Sequence, residues 1–162
     1  YFETLFWTGM RRGEAIALQK SDLDDGWVNV HANQRTAVEG LKPTKTKQSR
    51  RIRLDDTLAA KLEALKAASD GPYLFGGDSP LSPTTINRVF ITAIRDSGVK
   101  PIRLHDLRHS HATWLINHGV NIVAVSKRLG HASIEQTLKT YTHLLKDTDD
   151  QMMDLINHAR MR

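Results

Sequence analysis

The sequence predicts a mainly helical α+β domain, in which a helical bundle carries a small antiparallel sheet of three strands. Apolar residues in the second half of the chain recur every three or four positions, which is the spacing of one helix face. Residues that cap helices stand at the ends of these stretches. Between residues 27 and 54, short segments near turn residues are instead typical of strands. The length of 162 residues suits one domain.

The first half of the chain is expected to form one helix and the sheet. Leu5, Phe6 and Met10 fall on one helix face, so we expect a helix from the N-terminus to about Leu18. Asp25-Gly26 is a turn signal, and the apolar residues after it alternate as in a strand. We expect the three strands at 27–31, 34–38 and 50–54.

The second half is expected to form the bundle. Asp55-Asp56, Ser82-Pro83, Asn121 and Ser133 each supply a helix start, and Gly98 and Gly119 supply helix ends. A last amphipathic helix is expected at the C-terminus, with Met152, Leu155, Ile156 and Ala159 on one face. Helices are therefore expected between 55 and 71, between 82 and 98, and over 104–117, 121–129, 133–142 and 148–162.

Composition limits the possible functions. The chain has no cysteine, which excludes disulfides and thiolate metal sites. It shows no apolar run long enough for a membrane span and no secretion signal, so we expect neither. Lys and Arg number 23 against 18 Asp and Glu, which gives a net charge of +5. A polyanionic partner is one explanation of this excess.

The basic residues are concentrated between Gln34 and Leu54, a segment in which Glu39 is the only acid. We call this segment the basic stripe, and it includes Arg35, Lys42, Lys45, Lys47, Arg50, Arg51 and Arg53. The last helix is acidic in contrast, so the two parts of the chain are expected to face different partners.

Two polar segments in the first half are candidates for chemistry. Arg11 and Glu14 lie in a glycine-containing segment that could hold a guanidinium against a phosphate. The alternative is a solvated helix end with an ion pair three residues apart. Lys45 and Lys47 lie in the basic stripe between expected strands, where a lysine is a proton donor, a phosphate contact or a charged hairpin tip.

The second half holds two more candidates. His105 and Arg108 share one helix face, and an imidazole beside a fixed cation suits an anionic reacting centre. His105 with His109 also imitates a zinc-binding helix, and local packing of the histidines is a third interpretation. Further along, Gly130 precedes His131, and Tyr141 lies in the next helix, where a tyrosine is usually a core or rim residue.

Taken in order, these motifs resemble the catalytic domain of the tyrosine recombinases, the phage integrase family. The resemblance covers nearly the whole chain. It rests on Thr8-Gly9-x-Arg11, a hairpin lysine, His105-x-x-Arg108-His109, Leu129-Gly130-His131 and Tyr141-Thr142-His143. It implies that the fold is that of a tyrosine recombinase catalytic domain.

The resemblance also implies a role for each residue. Arg11, Arg108 and His131 would bind the scissile phosphate, and Tyr141 would be the nucleophile that forms a 3′-phosphotyrosyl intermediate. His105 would serve in acid–base chemistry. Lys45 would protonate the leaving oxygen, with Lys47 as the alternative, and Glu14 would support the site. Arg53 stands where proline is usual in the family, which leaves the choice between the two lysines open. Two arginines and a histidine stabilise phosphate charge without a metal or another cofactor, so none is expected.

The same resemblance implies partners and a setting. Residues 1–162 would be a catalytic domain whose N-terminal DNA-binding portion is absent from this chain. The enzyme would act in DNA recombination and integration on double-stranded DNA, in the cytoplasm of a bacterium and at its nucleoid, encoded there or by a phage or other mobile element. Lys42, Lys47, Arg50 and Arg51 are the expected backbone contacts. Protomers would assemble on DNA, as a tetramer, with the helix in 148–162 docking on a neighbour or folding back on its own domain.

Three alternative functions stay open at this point. A type IB topoisomerase shares the tyrosine chemistry. A non-catalytic DNA-binding or assembly domain would use the same residues structurally. A zinc hydrolase would use His105 and His109 as ligands.

Overall fold

The computed structural model describes residues 1–33, 42–43, 49–144 and 149–160. These residues are mainly helical and include a three-stranded antiparallel sheet, so the predicted fold class is confirmed. The helices are α1 (Phe2–Thr8), α2 (Arg12–Ile16), α3 (Asp56–Ala68), α4 (Pro83–Ser97), α5 (Asp106–Asn117), α6 (Ile122–Leu129), α7 (Ile134–Tyr141) and α8 (Asp149–Arg160). The strands are β1 (Leu23–Asp24), β2 (Trp27–Val30), β3 (Ala32–Asn33), β4 (Lys42–Pro43) and β5 (Arg50–Arg53).

The first helix ends earlier than predicted. A single helix to Leu18 is wrong, because α1 stops at Thr8 and α2 starts at Arg12. Gly9 between them has a φ of 68°, in the left-handed region that favours glycine. A Cβ atom on Gly9 would lie 2.6 Å from Cδ2 of His111, so the close approach of α5 also requires glycine here.

The sheet has the order β1-β2-β5, with Val28 opposite both Leu23 and Ile52. The strands at 27–30 and 50–53 were predicted, whereas β1 was not, because two residues are too few for an alternating pattern. The strand expected at 34–38 lies outside the described residues. β3 and β4 form a separate antiparallel pair, which places Lys42 in a strand.

Two apolar clusters form the core. The larger joins α1, α3 and the sheet through residues such as Leu5, Val28, Ile52 and Leu62. The smaller joins α5, α6 and α7 and includes Tyr141. The end of α1, the start of α5 and the end of α6 meet between these two clusters, through contacts of Arg108 with both helix ends.

Helix starts agree with the sequence at Asp55 and Asn121, whose side chains accept from the backbone N–H groups of Leu58 and Val123. Ser82 and Ser133 occupy the residue before a helix without a side-chain cap bond. None of the helices in the described ranges is long and apolar enough to cross a membrane.

Candidate active site

A cleft of about 410 Å³ brings together five of the six predicted catalytic side chains. Its lining is Arg11, His105, Arg108, His109, His131, Ala132, Gln136, Thr140 and Tyr141. These residues come from α2, α5, α7 and the loops beside them, so the cleft exists only in the folded chain. The sixth residue, Lys45, and the alternative Lys47 lie outside the described residues.

Arg108 forms the buried wall of the cleft and is only 4% exposed. Its Nη1 donates to the carbonyl of Gly9 at 2.6 Å, and its Nη2 donates to the carbonyl of Leu129 at 2.8 Å. Burial, followed by the charge of Arg11, lowers the pKa of Arg108 to about 9, so the guanidinium is still charged at neutral pH. Two main-chain oxygens therefore fix the plane of a charged group.

Arg11 is held from the other side by Glu14. The Nη1 atom of Arg11 lies 3.0 Å from Oε1 of Glu14, whose Oε2 accepts from the backbone N–H of Arg11 at 2.8 Å. The carbonyl of Gly130 also accepts from both terminal nitrogens of Arg11, at 3.5 Å each. Burial would raise the pKa of Glu14, but hydrogen bonds and charge from Arg50 and Arg11 lower it below its usual range. Glu14 is thus an ionised carboxylate beneath the cleft.

Arg50, one of the predicted DNA contacts, hydrogen-bonds inside the protein. Its guanidinium donates to both carboxylate oxygens of Glu14, at 3.1 and 2.7 Å, and its Nε donates to the carbonyl of Arg128 at 2.9 Å. A Cβ atom on Gly130 would lie 2.8 Å from Nη1 of Arg50, so the arginine packs directly under that glycine. The side chain supplies the cationic partner that a buried carboxylate needs. Its predicted contact with the DNA backbone stays a prediction.

The neighbouring Arg51 faces outward. Its side chain is 54% exposed, pairs with Asp24 at 3.2 Å and lies 5.1 Å over the ring of Trp27. The predicted DNA contacts at Arg50 and Arg51 therefore lie on opposite sides of β5, as alternation along a strand requires.

His131 follows the left-handed residue Gly130 and lines the cleft. Its Nδ1 lies 2.6 Å from Oγ1 of Thr137, a fully buried hydroxyl. Burial, then the charges of Arg108 and Arg11, lowers the pKa of His131 to about 4. The imidazole is consequently neutral at physiological pH and fixed in orientation.

His105 immediately precedes α5 and is a second neutral imidazole. Burial lowers its pKa, and so do the neighbouring His109 and Arg108. The ring of His105 meets the ring of His109 edge to face, with 4.9 Å between centroids.

Tyr141 ends α7, and its hydroxyl oxygen lies 2.8 Å from Nδ1 of His109. The residue is 4% exposed. Burial raises the pKa of Tyr141, while Arg108 opposes the increase. His109 was weighed only as a metal ligand or packing residue from the sequence. Its position one turn after His105 was the signal that places both on the same helix face.

In the described part of the chain, no three His, Asp or Glu side chains are grouped as metal ligands. His105 and His109 instead contact each other and Tyr141. The described geometry therefore offers no support for the zinc hydrolase alternative.

Comparison with known proteins agrees with this arrangement. The family model described as "Phage integrase family" matches residues 1–148. The chain belongs to the phage integrase family. The tyrosine recombinase resemblance predicted from the sequence is thereby confirmed.

Curated members of the phage integrase family match over most of this chain. The ICEBs1 integrase of Bacillus subtilis is 32% identical, over 97% of this chain and 48% of its own length. A tyrosine recombinase XerC of Bacillus licheniformis is 31% identical, over 90% of this chain and 48% of its own length. The chain spans about half the length of these relatives.

Solved structures share the fold of this phage integrase family chain. The Tn1549 transposon integrase in complex with a circular intermediate DNA has a TM-score of 0.79 at 20% identity, over 97% of this chain and 57% of that one. The catalytic domain of bacteriophage HP1 integrase has a TM-score of 0.67 at 22% identity, over 93% of this chain and 76% of that one. The XerA recombinase has a TM-score of 0.68 at 24% identity, over 98% of this chain and 56% of that one.

Proposed function

We propose that this chain is the catalytic domain of a site-specific DNA recombinase that breaks and rejoins DNA strands through Tyr141. The observation that carries the proposal is the shared cleft, in which Arg11, Arg108 and His131 face the same space as Tyr141. A phosphodiester needs cationic donors around its non-bridging oxygens and a nucleophile in reach of phosphorus. The cleft supplies both.

The arginines would bind the non-bridging oxygens of the scissile phosphate. A guanidinium has five N–H donors, and the carbonyls of Gly9 and Leu129 engage only two donor groups of Arg108. The remaining donors are fixed in direction and available to phosphate. Such prearranged charge stabilises the transition state without reorganisation during the reaction.

His131 would add a neutral donor. Thr137 occupies its Nδ1. If the Thr137 hydroxyl donates to Nδ1, the ring proton is on Nε2, where it is available to a phosphate oxygen. A pKa of about 4 keeps this tautomer uncharged at neutral pH.

The covalent step exchanges one phosphodiester for another. The Tyr141 oxygen bonds to phosphorus while the bond to the 5′ oxygen breaks, which leaves a 3′-phosphotyrosyl protein and a DNA 5′ hydroxyl. We assign protonation of that leaving oxygen to Lys45, with His105 as an acid–base residue beside the arginines. Because the phosphodiester bond energy is retained, attack by another 5′ hydroxyl rejoins DNA without ATP.

The sharpest test compares Tyr141→Phe with Tyr73→Phe. The substrate is a pool of duplexes with randomised bases around the scissile phosphate and a nick a few nucleotides downstream, so that cleavage releases a short fragment and traps the adduct. The parent chain and Tyr73→Phe should form a covalent protein–DNA adduct that survives denaturing electrophoresis. An adduct formed by Tyr141→Phe would refute the proposal. Relaxation of supercoiled plasmid without exchange between sites would instead favour a type IB topoisomerase.

The wider assembly is also a proposal. Lys42 in β4, Lys47 and Arg51, of which Arg51 is exposed in the structure, would contact the DNA backbone, with double-stranded DNA as the partner. The Tn1549 integrase structure is a complex with DNA, which supports this partner. Such a domain would act at the bacterial nucleoid, together with a further DNA-binding portion.

The α8 helix supports assembly of protomers on DNA. Met152, Met153 and Ile156 are 46%, 51% and 44% exposed, so α8 presents apolar side chains to its surroundings. An unpartnered amphipathic helix suits an apolar groove on another molecule. We propose that residues 148–162 dock on a neighbouring protomer in a tetrameric synapse. Loss of the tetramer on DNA in a Met152→Ser and Ile156→Ser double variant would support this arrangement.

A further inference from the structure

The hydrogen bond between His109 and Tyr141 has no place in the reaction described above. Nδ1 of His109 lies 2.8 Å from the Tyr141 hydroxyl oxygen, across the contact between α5 and the end of α7. Among the described residues, His109 is the hydrogen-bond partner of the Tyr141 hydroxyl oxygen. The proposed nucleophile therefore rests against an imidazole whose function is unassigned.

The direction of this hydrogen bond depends on the tautomer of His109. The Tyr141 hydroxyl lies in a largely buried position, where the neutral phenol is favoured over the phenolate. If the ring proton of His109 is on Nε2, the phenol donates and Nδ1 of His109 accepts. Tyr141 belongs to an apolar cluster that includes Val125 and Leu129, and this packing holds its ring against α5.

Arg108 and His131, which line the same cleft, hydrogen-bond to partners other than the Tyr141 hydroxyl. Arg108 donates to two main-chain carbonyls, and Nδ1 of His131 is occupied by Thr137. His105 contacts the ring of His109 rather than the hydroxyl of Tyr141. His109 is thus the group placed to take a proton from the nucleophile.

We propose that His109 is a catalytic residue that accepts the Tyr141 proton at Nδ1 as the tyrosine oxygen attacks phosphorus. This inference rests on the proposed strand-cleavage function. The phenolic O–H bond breaks as the bond from oxygen to phosphorus forms, and the imidazole becomes an imidazolium. The bond from phosphorus to the 5′ oxygen breaks, and that oxygen takes a separate proton from another acid. On rejoining, the imidazolium returns its proton to the departing Tyr141.

The test measures single-turnover adduct formation on the nicked duplex pool for His109→Ala and His109→Asn. An asparagine amide keeps a hydrogen-bonding oxygen near the position of Nδ1 but does not take up a proton. Both variants should be slower than the parent by about 100-fold, within the usual contribution of a general base. His118→Asn changes an exposed histidine at the other end of the same helix and should leave the rate unchanged.

A second substrate separates the two proton transfers. Replacing the bridging 5′ oxygen with sulfur gives a leaving thiolate that needs no protonation, so a missing acid is compensated whereas a missing base is not. The His109 variants should be equally impaired on both substrates. Rescue by sulfur would overturn the proposal, because it would make His109 the leaving-group acid. A rate within threefold of the parent for His109→Asn would also overturn it.

Imidazole ¹⁵N spectra give a readout that does not need activity. In the parent chain His109 should be the tautomer protonated at Nε2, and Tyr141→Phe should shift its Nδ1 signal. Unchanged spectra in that variant would overturn the proposal. If Tyr141→Phe shifts the Nδ1 signal but the parent chain forms no adduct with DNA, the proposed function is refuted, and with it a catalytic role of His109.

Discussion

Arg50 and Glu14 form a two-bond ion pair, with Nη2 of Arg50 2.7 Å from Oε2 and Nη1 3.1 Å from Oε1. Glu14 is 1% exposed and also binds Arg11, so one buried carboxylate joins the sheet to an arginine that is predicted to bind phosphate. Arg50 directly follows the segment that contains Lys45 and Lys47. Through Glu14, the start of α2 is therefore joined to β5, the strand that follows this segment in the sequence.

Arg50→Met should strongly destabilise the protein. Removing one partner of a buried pair leaves a charge without compensation, which costs about 3 kcal/mol of unfolding free energy. Arg51→Met is the matched control on the same strand, because its pair with Asp24 is exposed and contributes about 1 kcal/mol or less. Urea unfolding of both variants measures the difference. Equal effects would contradict a structural role for the Arg50 and Glu14 pair.

His111 should make the protein less stable in mild acid. Burial, then the charges of Arg128 and Arg108, lowers its pKa from 6.5 to about 4. The unfolded chain binds the proton first, so the stability from neutral His111 is complete above pH 6.5 and is lost as the pH falls towards about 4.

His111→Gln removes this titration. The loss of unfolding free energy between about pH 7 and about pH 4 should then be smaller than in the parent by about 3 kcal/mol. Chemical denaturation at the two pH values measures it, and the other titrating groups are common to both proteins. If the unfolding free energies of His111→Gln and the parent depend on pH in the same way, protonation of His111 does not destabilise the folded protein.

Gly9→Ala should disrupt the end of α1. The backbone has a positive φ of 68°, and the new Cβ would lie 2.6 Å from His111 and 2.8 Å from Leu129. Together, strain and overpacking should lower the unfolding free energy by about 2 to 4 kcal/mol. Gly26→Ala tests the backbone strain alone, because the φ of Gly26 is +74° and a Cβ atom there would meet no atom within 4 Å. It should lower the unfolding free energy by about 1 kcal/mol. Thermal or urea unfolding compares the two.

Arg108→Lys should impair the reaction although it keeps the charge. An ammonium on a flexible chain does not span the carbonyls of Gly9 and Leu129 and still present a planar donor array to phosphate. The rate of covalent adduct formation should fall by roughly 100-fold to 1,000-fold, as for loss of a prearranged donor. Arg103→Lys is the control, because Arg103 is 82% exposed and pairs with Asp106. A parental rate in Arg108→Lys would mean that charge alone suffices.

The choice between Lys45 and Lys47 is decided by the sulfur-bridged substrate. Lys45→Ala should be slow on the natural phosphodiester and restored by sulfur, because the thiolate leaves without a proton. Lys47→Ala should weaken DNA binding and lessen its salt dependence without this rescue. Adduct formation and equilibrium binding measure the two effects. The reverse pattern would move the acid to Lys47.

Local signals predicted most of the helices correctly. The Pro83 start and the Gly98 end place α4 almost as the structure has it, because propensity and capping act within a few residues. The break at Gly9 was missed because it depends on His111 and Leu129, both about a hundred residues or more away in sequence. Apolar periodicity on its own does not report such a contact.

The sequence also indicated which side chains would meet in a cleft, although their catalytic roles are still predictions. Arg50 was grouped with the basic stripe because charge along the chain does not show which face of a strand is buried. His109 was counted in the family motif and weighed as a metal ligand, but its contact with Tyr141 was missed because that partner is 32 residues away in sequence. Both omissions concern pairings that only tertiary structure creates.

The carbonyls that hold Arg108 come from the C-terminal ends of α1 and α6, at the left-handed caps Gly9 and Gly130. A helix C-terminus carries a partial negative charge of about half an elementary charge. Within the described residues, no carboxylate hydrogen-bonds to Arg108, so the two helix ends supply the partial negative charge in direct contact with it. If Arg108 binds a DNA phosphate as proposed, that phosphate has no hydrogen-bonded carboxylate to displace, and the cation is in place before DNA binds.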